Sequence, residues 1–240
     1  MWLAVDCGNS RIKWAAVQNG RAAAVRTATV APRRSALAQL QNAAARASEA
    51  WVSHVGLALS RDELRGVLRG CKRVRFVRSV AAGGGVVNRY RPPSSLGVDR
   101  WLALVAARKM RRDVAVVGAG TAATIDFLRG DGVFIGGAVL PGIRLSRETA
   151  ARRTGLPFSD SENAARMILP PQNTRAAVAA GAVSAVAGAA LFLRRRMLPG
   201  ARFVVGGGDA DLLLPWLPKT AMHVPHPPIC GLVRLHSLRP

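Results

Sequence analysis

With 240 residues, half of them apolar and a fifth charged, the chain has the size and balance of a soluble globular protein built as one large domain or two small ones. Its three scattered cysteines, Cys7, Cys71 and Cys230, exclude a disulfide framework and a CxxC metal site and point to a reducing, cytoplasmic setting. The net charge of +22 is an arginine excess spread from Arg11 to Arg239, which attracts anions such as ATP; with one tyrosine, no zinc-finger spacing and no recognition-helix signature, a nucleic acid is not expected as partner.

The opening MWLAVDCGNS has no basic stretch, and Asp6 breaks its apolar run, so no signal peptide is expected. Trp2–Val5 reads as a strand, Gly8-Asn9-Ser10 as a turn and Ile12–Val17 as a second strand. Ser35–Ala47 is an amphipathic helix capped by its serine, Ala50–Val55 a short strand, Arg61–Leu68 a helix and Arg73–Val77 a strand. From Arg78 to Leu96, with Gly83-Gly84-Gly85 and Pro92-Pro93, a long loop is expected, of a length that usually serves a site. Val98–Met110 follows as a helix.

A similar order then restarts. Val114–Val117 is a strand, Gly118–Gly120 a turn, Ala122–Leu128 a strand, Gly130–Gly132 a turn and Val133–Val139 a strand, with a helix from about Ile143. A long helix from about Thr174 to Arg196, strand Phe203–Val205, a glycine turn and helix Ala210–Leu217 complete the series. Two strand–turn–strand openings, each with helices behind, predict a duplicated α/β chain divided near Arg112 into halves 1–112 and 113–240. Ala176–Leu193 is uncharged, just long enough to span a membrane, and followed by Arg194, Arg195 and Arg196. Its Ala, Gly and Ser content suits tight packing in protein better than lipid, so a buried helix and no membrane span are predicted.

Chemistry gathers at the turns. In Asp6-Cys7-Gly8-Asn9-Ser10, with Lys13 three residues on, a strand ends in a carboxylate and runs into a turn whose N–H groups and hydroxyl can face phosphate oxygens. Asp6 can hold a phosphate-bound Mg²⁺ and Lys13 can neutralise transferring charge. An ordinary hairpin turn accounts for the same residues, since Asp, Gly and Asn favour turns anyway. Gly118-Ala119-Gly120-Thr121-Ala122-Ala123 matches the dinucleotide pattern GxGxxA, but that pattern needs a helix next. Thr124-Ile125-Asp126-Phe127-Leu128 favours strand instead, and no acidic residue ends the following strand near Val139 and Leu140. A second phosphate hairpin, with Thr121 on ATP, therefore ranks above NAD(P) binding. Gly206-Gly207-Gly208-Asp209 is either a nucleotide turn or a plain strand-to-helix turn capped by Asp209. Asp99, in the first turn of its helix, either compensates the helix dipole or serves as general base, with Arg100 beside it for an anion and Tyr90 on the loop before it. His54, His223, His226 and His236 have no ligand spacing for zinc, and no serine sits in a GxSxG elbow.

In this order, these residues resemble the type III pantothenate kinases nearly end to end. The likeness is carried by DxGN(T/S)xxK at Asp6–Lys13, GxDR at Gly97–Arg100 and GTAxTxD at Gly120–Asp126, then by Gly136-Gly137, Pro141-Gly142, Thr154-Gly155-Leu156-Pro157, Asn173-Thr174 and Gly207-Gly208-Asp209-Ala210. The resemblance implies two ribonuclease-H-like, actin-like ATPase domains with mixed sheets flanked by helices, an ATP cleft between them, and a homodimer. It implies ATP-dependent phosphorylation of pantothenate, the first step of coenzyme A synthesis. Asp6, Cys7, Gly8, Asn9, Ser10, Arg11, Ile12 and Lys13 would grip ATP phosphates and Mg²⁺, with Thr121 also on ATP. Tyr90, Gly97, Val98, Asp99, Arg100 and Thr174 would bind pantothenate, with Asp99 the base. Ser10 replaces the commoner threonine and keeps the hydroxyl. Gly118 stands where many members carry the aspartate that holds a monovalent cation, so no potassium or ammonium requirement is expected. Rival readings are a non-catalytic transcription accessory factor on the same fold and a kinase for another small hydroxy acid.

Overall fold

The structure is a computed structural model that describes residues 1–29, 33–56, 59–155 and 169–239. Two compact units divide the chain: Met1–Lys109 with His226–Pro240, and Met110–Pro225.

In the first unit, β1 (Trp2–Cys7) is buried along its whole length. A strand covered on both faces needs the unbroken apolar run that Trp2–Val5 supplies. It pairs antiparallel with β2 (Arg11–Gln18) and parallel with β5 (Glu49–His54), which in turn pairs parallel with β6 (Arg73–Phe76). Two short strands, β3 (Arg21–Ala22) and β4 (Arg26–Thr29), pair with β2 and were not evident from the sequence. One sheet face, with Leu3, Val5, Cys7, Ile12 and Trp14, buries its side chains in a core that includes Leu40 of α1 (Arg33–Ala44) and Leu64 of α2 (Arg61–Val67). The first helix begins at Arg33, so Ser35 lies within it rather than at its cap. A reciprocal box caps α2: Glu63 N–H donates to Ser60 Oγ at 3.1 Å, and Ser60 N–H to Glu63 Oε2 at 2.8 Å. Such a box stabilises a helix start by about 1 kcal/mol.

The expected loop from Arg78 to Leu96 carries structure of its own, a short hairpin of β7 (Ala82–Gly83) and β8 (Val86–Asn88) and a 3-10 turn at Pro93–Ser95. Behind it runs α3 (Val98–Ala107), extended by a 3-10 turn to Met110.

In the second unit, β9 (Val114–Ala119), β10 (Ala122–Leu128), β11 (Val133–Pro141), β12 (Arg202–Gly206) and β13 (Met222–His223) line up in the order β13-β12-β9-β10-β11. The second unit thus repeats the first: an antiparallel hairpin whose first strand pairs parallel with a later strand, and that one with a further parallel strand. Both sheets are mixed and flanked by helices. Because β10 is a strand and not a helix, the dinucleotide reading of Gly118–Ala123 fails at its first structural requirement. Helix α4 (Ile143–Thr154) follows β11, and the Leu156-Pro157 part of one sequence motif lies outside the described residues. Helix α5 (Thr174–Met197) is long and apolar enough to cross a membrane by length and composition. It is half buried rather than enclosed: Ala182, Val183, Val186, Ala187 and Ala190 pack in the core with Phe127 and Phe203, while Gly181, Ser184, Ala185, Gly188 and Phe192 are exposed. The helix expected over Ala210–Leu217 stops at Leu213 (α6, Ala210–Leu213) and continues as a 3-10 turn, because Pro215 offers no N–H to an α-helical ladder.

The proline-rich end conceals a further helix, α7 (Pro227–Ser237), whose first turn takes both Pro227 and Pro228 without loss of a helical hydrogen bond. It packs on α3, where a side-chain carbon at Gly231 would run into the Leu102 carbonyl. His236 Nε2 meets Glu49 Oε1 at 3.0 Å, its ring stacks on Trp2 with centroids 4.1 Å apart, and the Arg239 guanidinium lies 3.8 Å from the Trp51 ring centre. These contacts explain why the last fifteen residues belong to the first unit, whereas a single cut at Arg112 puts them with the second half.

Candidate active site

The carboxyl end of β1 and the turn after it define the site in the first unit, as expected where a mixed α/β sheet presents strand ends to a ligand. Antiparallel register sets Asp6 opposite Lys13 on β2, and parallel register sets it opposite Ser53 on β5. Successive side chains on a strand alternate faces, so Lys13, Asp6 and Ser53 form one row, while Cys7 and Ile12 project to the other face and are fully buried in the core. Cys7 and Ile12 can therefore meet a ligand only through their backbone. Between them the turn is closed by Gly8 N–H donating to Arg11 O at 3.1 Å, with Asn9, Ser10 and Arg11 exposed.

Asp6 is buried, and its Oδ1 has no hydrogen-bond partner among the described residues. Burial pushes its carboxyl up to about 6; the charge of Lys13 and the Ser53 hydroxyl pull the other way, and the negative charge of Asp99 raises it further. The Ser53 hydroxyl comes near without closing a hydrogen bond, since Ser53 Oγ has no partner among the described residues. Burial next to the Asp6 carboxylate drives the Cys7 thiol up to about 11, so it is inert at neutral pH.

Asp99 sits in the first turn of α3, where Oδ1 accepts from the Arg100 N–H at 2.8 Å. Burial raises its carboxyl above the ordinary range, and the Arg100 N–H and guanidinium offset part of that rise. A side-chain carbon at Gly97 would stand 2.7 Å from Asp99 Oδ1, so glycine there keeps room for the carboxylate. Val98 is buried. The Arg100 guanidinium donates to Tyr90 Oη at 3.3 Å and lies 5.7 Å from its ring centre. Tyr90 is held by Asn88, a buried residue that the sequence offered no reason to notice: Asn88 Oδ1 accepts from Tyr90 N–H at 3.0 Å, and Nδ2 donates to Pro93 O at 2.9 Å. Asp6, Lys13, Asp99, Arg100 and Tyr90 are thus assembled in one unit.

Thr121 and Thr174 belong to the second unit. Thr121 is exposed in the β9–β10 turn, where its carbonyl accepts from Gly142 N–H at 3.0 Å. Thr174 is the exposed first residue of α5, whose start is capped by Asn173 Oδ1 accepting from Ala176 N–H at 2.8 Å. At Gly118 a side-chain carbon would fall 2.6 Å from Thr124 Oγ1, so the threonine hydroxyl occupies the space beside it. The Gly207 turn has φ +108°, and Asp209 makes no side-chain cap to α6.

A buried carboxylate with one oxygen that has no partner among the described residues suits a cation. Among the described residues no cage of three or more acidic, histidine or cysteine side chains forms. That donor set fits Mg²⁺, which is commonly held by one or two carboxylates while phosphates and water complete its shell.

Comparison with known proteins agrees with this chemistry. Residues 2–195 match the family model described as type III pantothenate kinase. A type III pantothenate kinase of Thiobacillus denitrificans is 35% identical over 239 residues, covering 96% of this chain and 94% of its own. Another, from Aromatoleum aromaticum, is 37% identical over 218 residues, covering 89% and 88%. Among solved structures, a Campylobacter jejuni protein described as a Baf family transcriptional activator aligns with TM-score 0.63 at 20% identity, over 98% of this chain and 97% of its own. Component A of the (R)-2-hydroxyglutaryl-CoA dehydratase of Acidaminococcus fermentans aligns with TM-score 0.58 at 14% identity, over 97% and 95%. At such identities these two structures speak for the fold alone.

Proposed function

The chain belongs to the type III pantothenate kinase family, and from that premise we propose that it phosphorylates pantothenate with ATP to give 4'-phosphopantothenate, with Asp99 as general base. The observation that carries the residue assignment is the buried Asp6 carboxyl, set opposite Lys13 at the end of the first sheet and raised in part by the charge of Asp99 in the same unit.

In this reading the Gly8–Arg11 turn offers backbone N–H groups and the Asn9 and Ser10 side chains to the phosphates. Asp6 would hold Mg²⁺, which would supply neutralisation of phosphate charge. Arg100 binds the pantothenate carboxylate, Tyr90 holds the guanidinium in place, and Gly97 and Val98 line the acceptor. Asp99 takes the proton from the pantothenate hydroxyl as that oxygen attacks the γ-phosphorus. The bond from that phosphorus to the bridging oxygen breaks, and ADP leaves with its electron pair. Lys13 stabilises the charge on the transferring group. Such a transfer needs positioning and neutralisation more than covalent help from the protein. A base with a raised pKa also suits the task, because it accepts a proton more readily than an ordinary aspartate.

Gly118, with Thr124 Oγ1 filling the adjacent space, supports turnover without potassium or ammonium. Free thiols at Cys7, Cys71 and Cys230 fit the cytoplasm. The exposed Phe192 and the open Gly181 and Gly188 on α5 support a homodimer.

The deciding experiment is coupled ADP release with pantothenate, native protein against Asp99→Asn. Pantothenate-dependent turnover that falls about 10²- to 10⁴-fold in the variant, with ATP binding retained, supports the assignment. ATP binding by the native protein without ADP release would overturn the substrate and bring forward a non-catalytic role on the same fold.

A further inference from the structure

Ser53 is the one polar side chain in the middle of a strand that otherwise buries Trp51 and Val52, and it is fully enclosed at 0% exposure. An enclosed hydroxyl without a partner costs stability that alanine at the same place would not. Its direct neighbour in the parallel ladder is Asp6, whose Oδ1 is also enclosed and also without a partner among the described residues. Register puts the Ser53 hydroxyl beside the Asp6 carboxyl, near enough to lower its pKa but not to close a hydrogen bond. Lys13 occupies the other flank of Asp6, so Ser53 is the hydrogen-bond donor available to the carboxylate from the β5 side. A carboxylate that holds a cation through one oxygen is commonly fixed by a hydrogen bond on the other.

We propose that Ser53 is a positioning residue for Asp6: its hydroxyl donates to the carboxylate in the nucleotide-bound state and keeps an oxygen turned toward the phosphate-bound cation. The inference rests on the kinase reading above. Ser53 touches neither reactant, so its loss weakens the metal and leaves the acceptor alone.

The test uses Ser53→Ala in the full chain, with Mn²⁺ as the probe. Free Mn²⁺ is followed by electron paramagnetic resonance in the presence of protein and ADP, and Mg²⁺ is titrated in the ADP-release assay. The variant is expected to bind Mn²⁺ about 10- to 100-fold more weakly and to need correspondingly more Mg²⁺ for half-maximal rate, at unchanged KM for pantothenate. Its melting temperature without ligands should equal or exceed that of the native protein, since an unsatisfied hydroxyl has gone. A purely structural serine would shift only the melting temperature, and unchanged Mn²⁺ affinity in the variant would overturn the inference while leaving the function intact. Native protein that binds no Mn²⁺ with ADP would overturn both.

Discussion

Replacing Asp6 by asparagine should make the ligand-free protein more stable at neutral pH, although it removes the side chain assigned to the cation. The folded carboxyl titrates at about 6 against an ordinary 3.8, because burial outweighs the attraction of Lys13. Between those values the folded state binds more protons than the unfolded state, so stability falls as pH rises from about 4 to about 6 and stays low above. Two pKa units at about 1.4 kcal/mol each put the cost near 3 kcal/mol at pH 7. Asparagine is neutral throughout and escapes it. Urea denaturation of native and Asp6→Asn protein from pH 4 to pH 8, without nucleotide or Mg²⁺, should give curves that nearly coincide at pH 4 and separate to about 3 kcal/mol by pH 7. Mg²⁺·ATP at about a thousand times Kd should then reverse the order, since about 4.1 kcal/mol of stabilisation goes only to the protein that binds it. A difference independent of pH, or a variant less stable than native at pH 7 without ligands, would refute the reasoning.

Other outcomes follow from the same geometry. The pH dependence of kcat/KM should fall on the acid side with an apparent pKa above that of ordinary aspartate, because Asp99 must be ionised to accept a proton and burial holds its pKa up; a limb at the ordinary aspartate value would contradict this. Gly97→Ala should lower kcat about tenfold or more with little change in ATP affinity, by crowding Asp99 Oδ1, and ADP-release kinetics with ATP titration separates the two effects. Turnover in buffers free of potassium and ammonium should match that in their presence, and a strict requirement for either would remove the significance given to Gly118. Gly231→Ala should cost several kcal/mol, roughly 3 or more, because a methyl group there meets the Leu102 backbone and no side chain can yield; thermal denaturation reads it.

Most of the regular elements were legible from local pattern. Ala122–Leu128 is a strand with the bounds read for it, as its β-branched and aromatic residues favour, and α5 ends one residue beyond its arginines. Where reading stopped short, the cause was a local signal with two meanings. Pro227-Pro228 reads as a breaker within a proline-rich tail, yet proline is at home in the first turn of a helix. Pro215 ended α6 early for the complementary reason, since it lies past that first turn. The short strands β3, β4, β7, β8 and β13 carry too few residues for periodicity to register.

The site divides in the same way. Asp6, Gly8, Lys13, Asp99 and Thr121 are visible as residue types at turns and helix starts, because turns and caps select side chains through contacts a few residues long. The sequence by itself therefore determined the strand–turn–strand repeat and the motifs that ride on it. Tertiary structure alone decided which face each residue takes and what stands across from it. It turned Cys7 and Ile12 into the core, raised the Asp6 carboxyl by burying it, and brought Ser53 from a separate strand to its side. Strand register is set by the summed burial of whole faces and not by any local signal, so no reading along the chain could have paired Ser53 with Asp6.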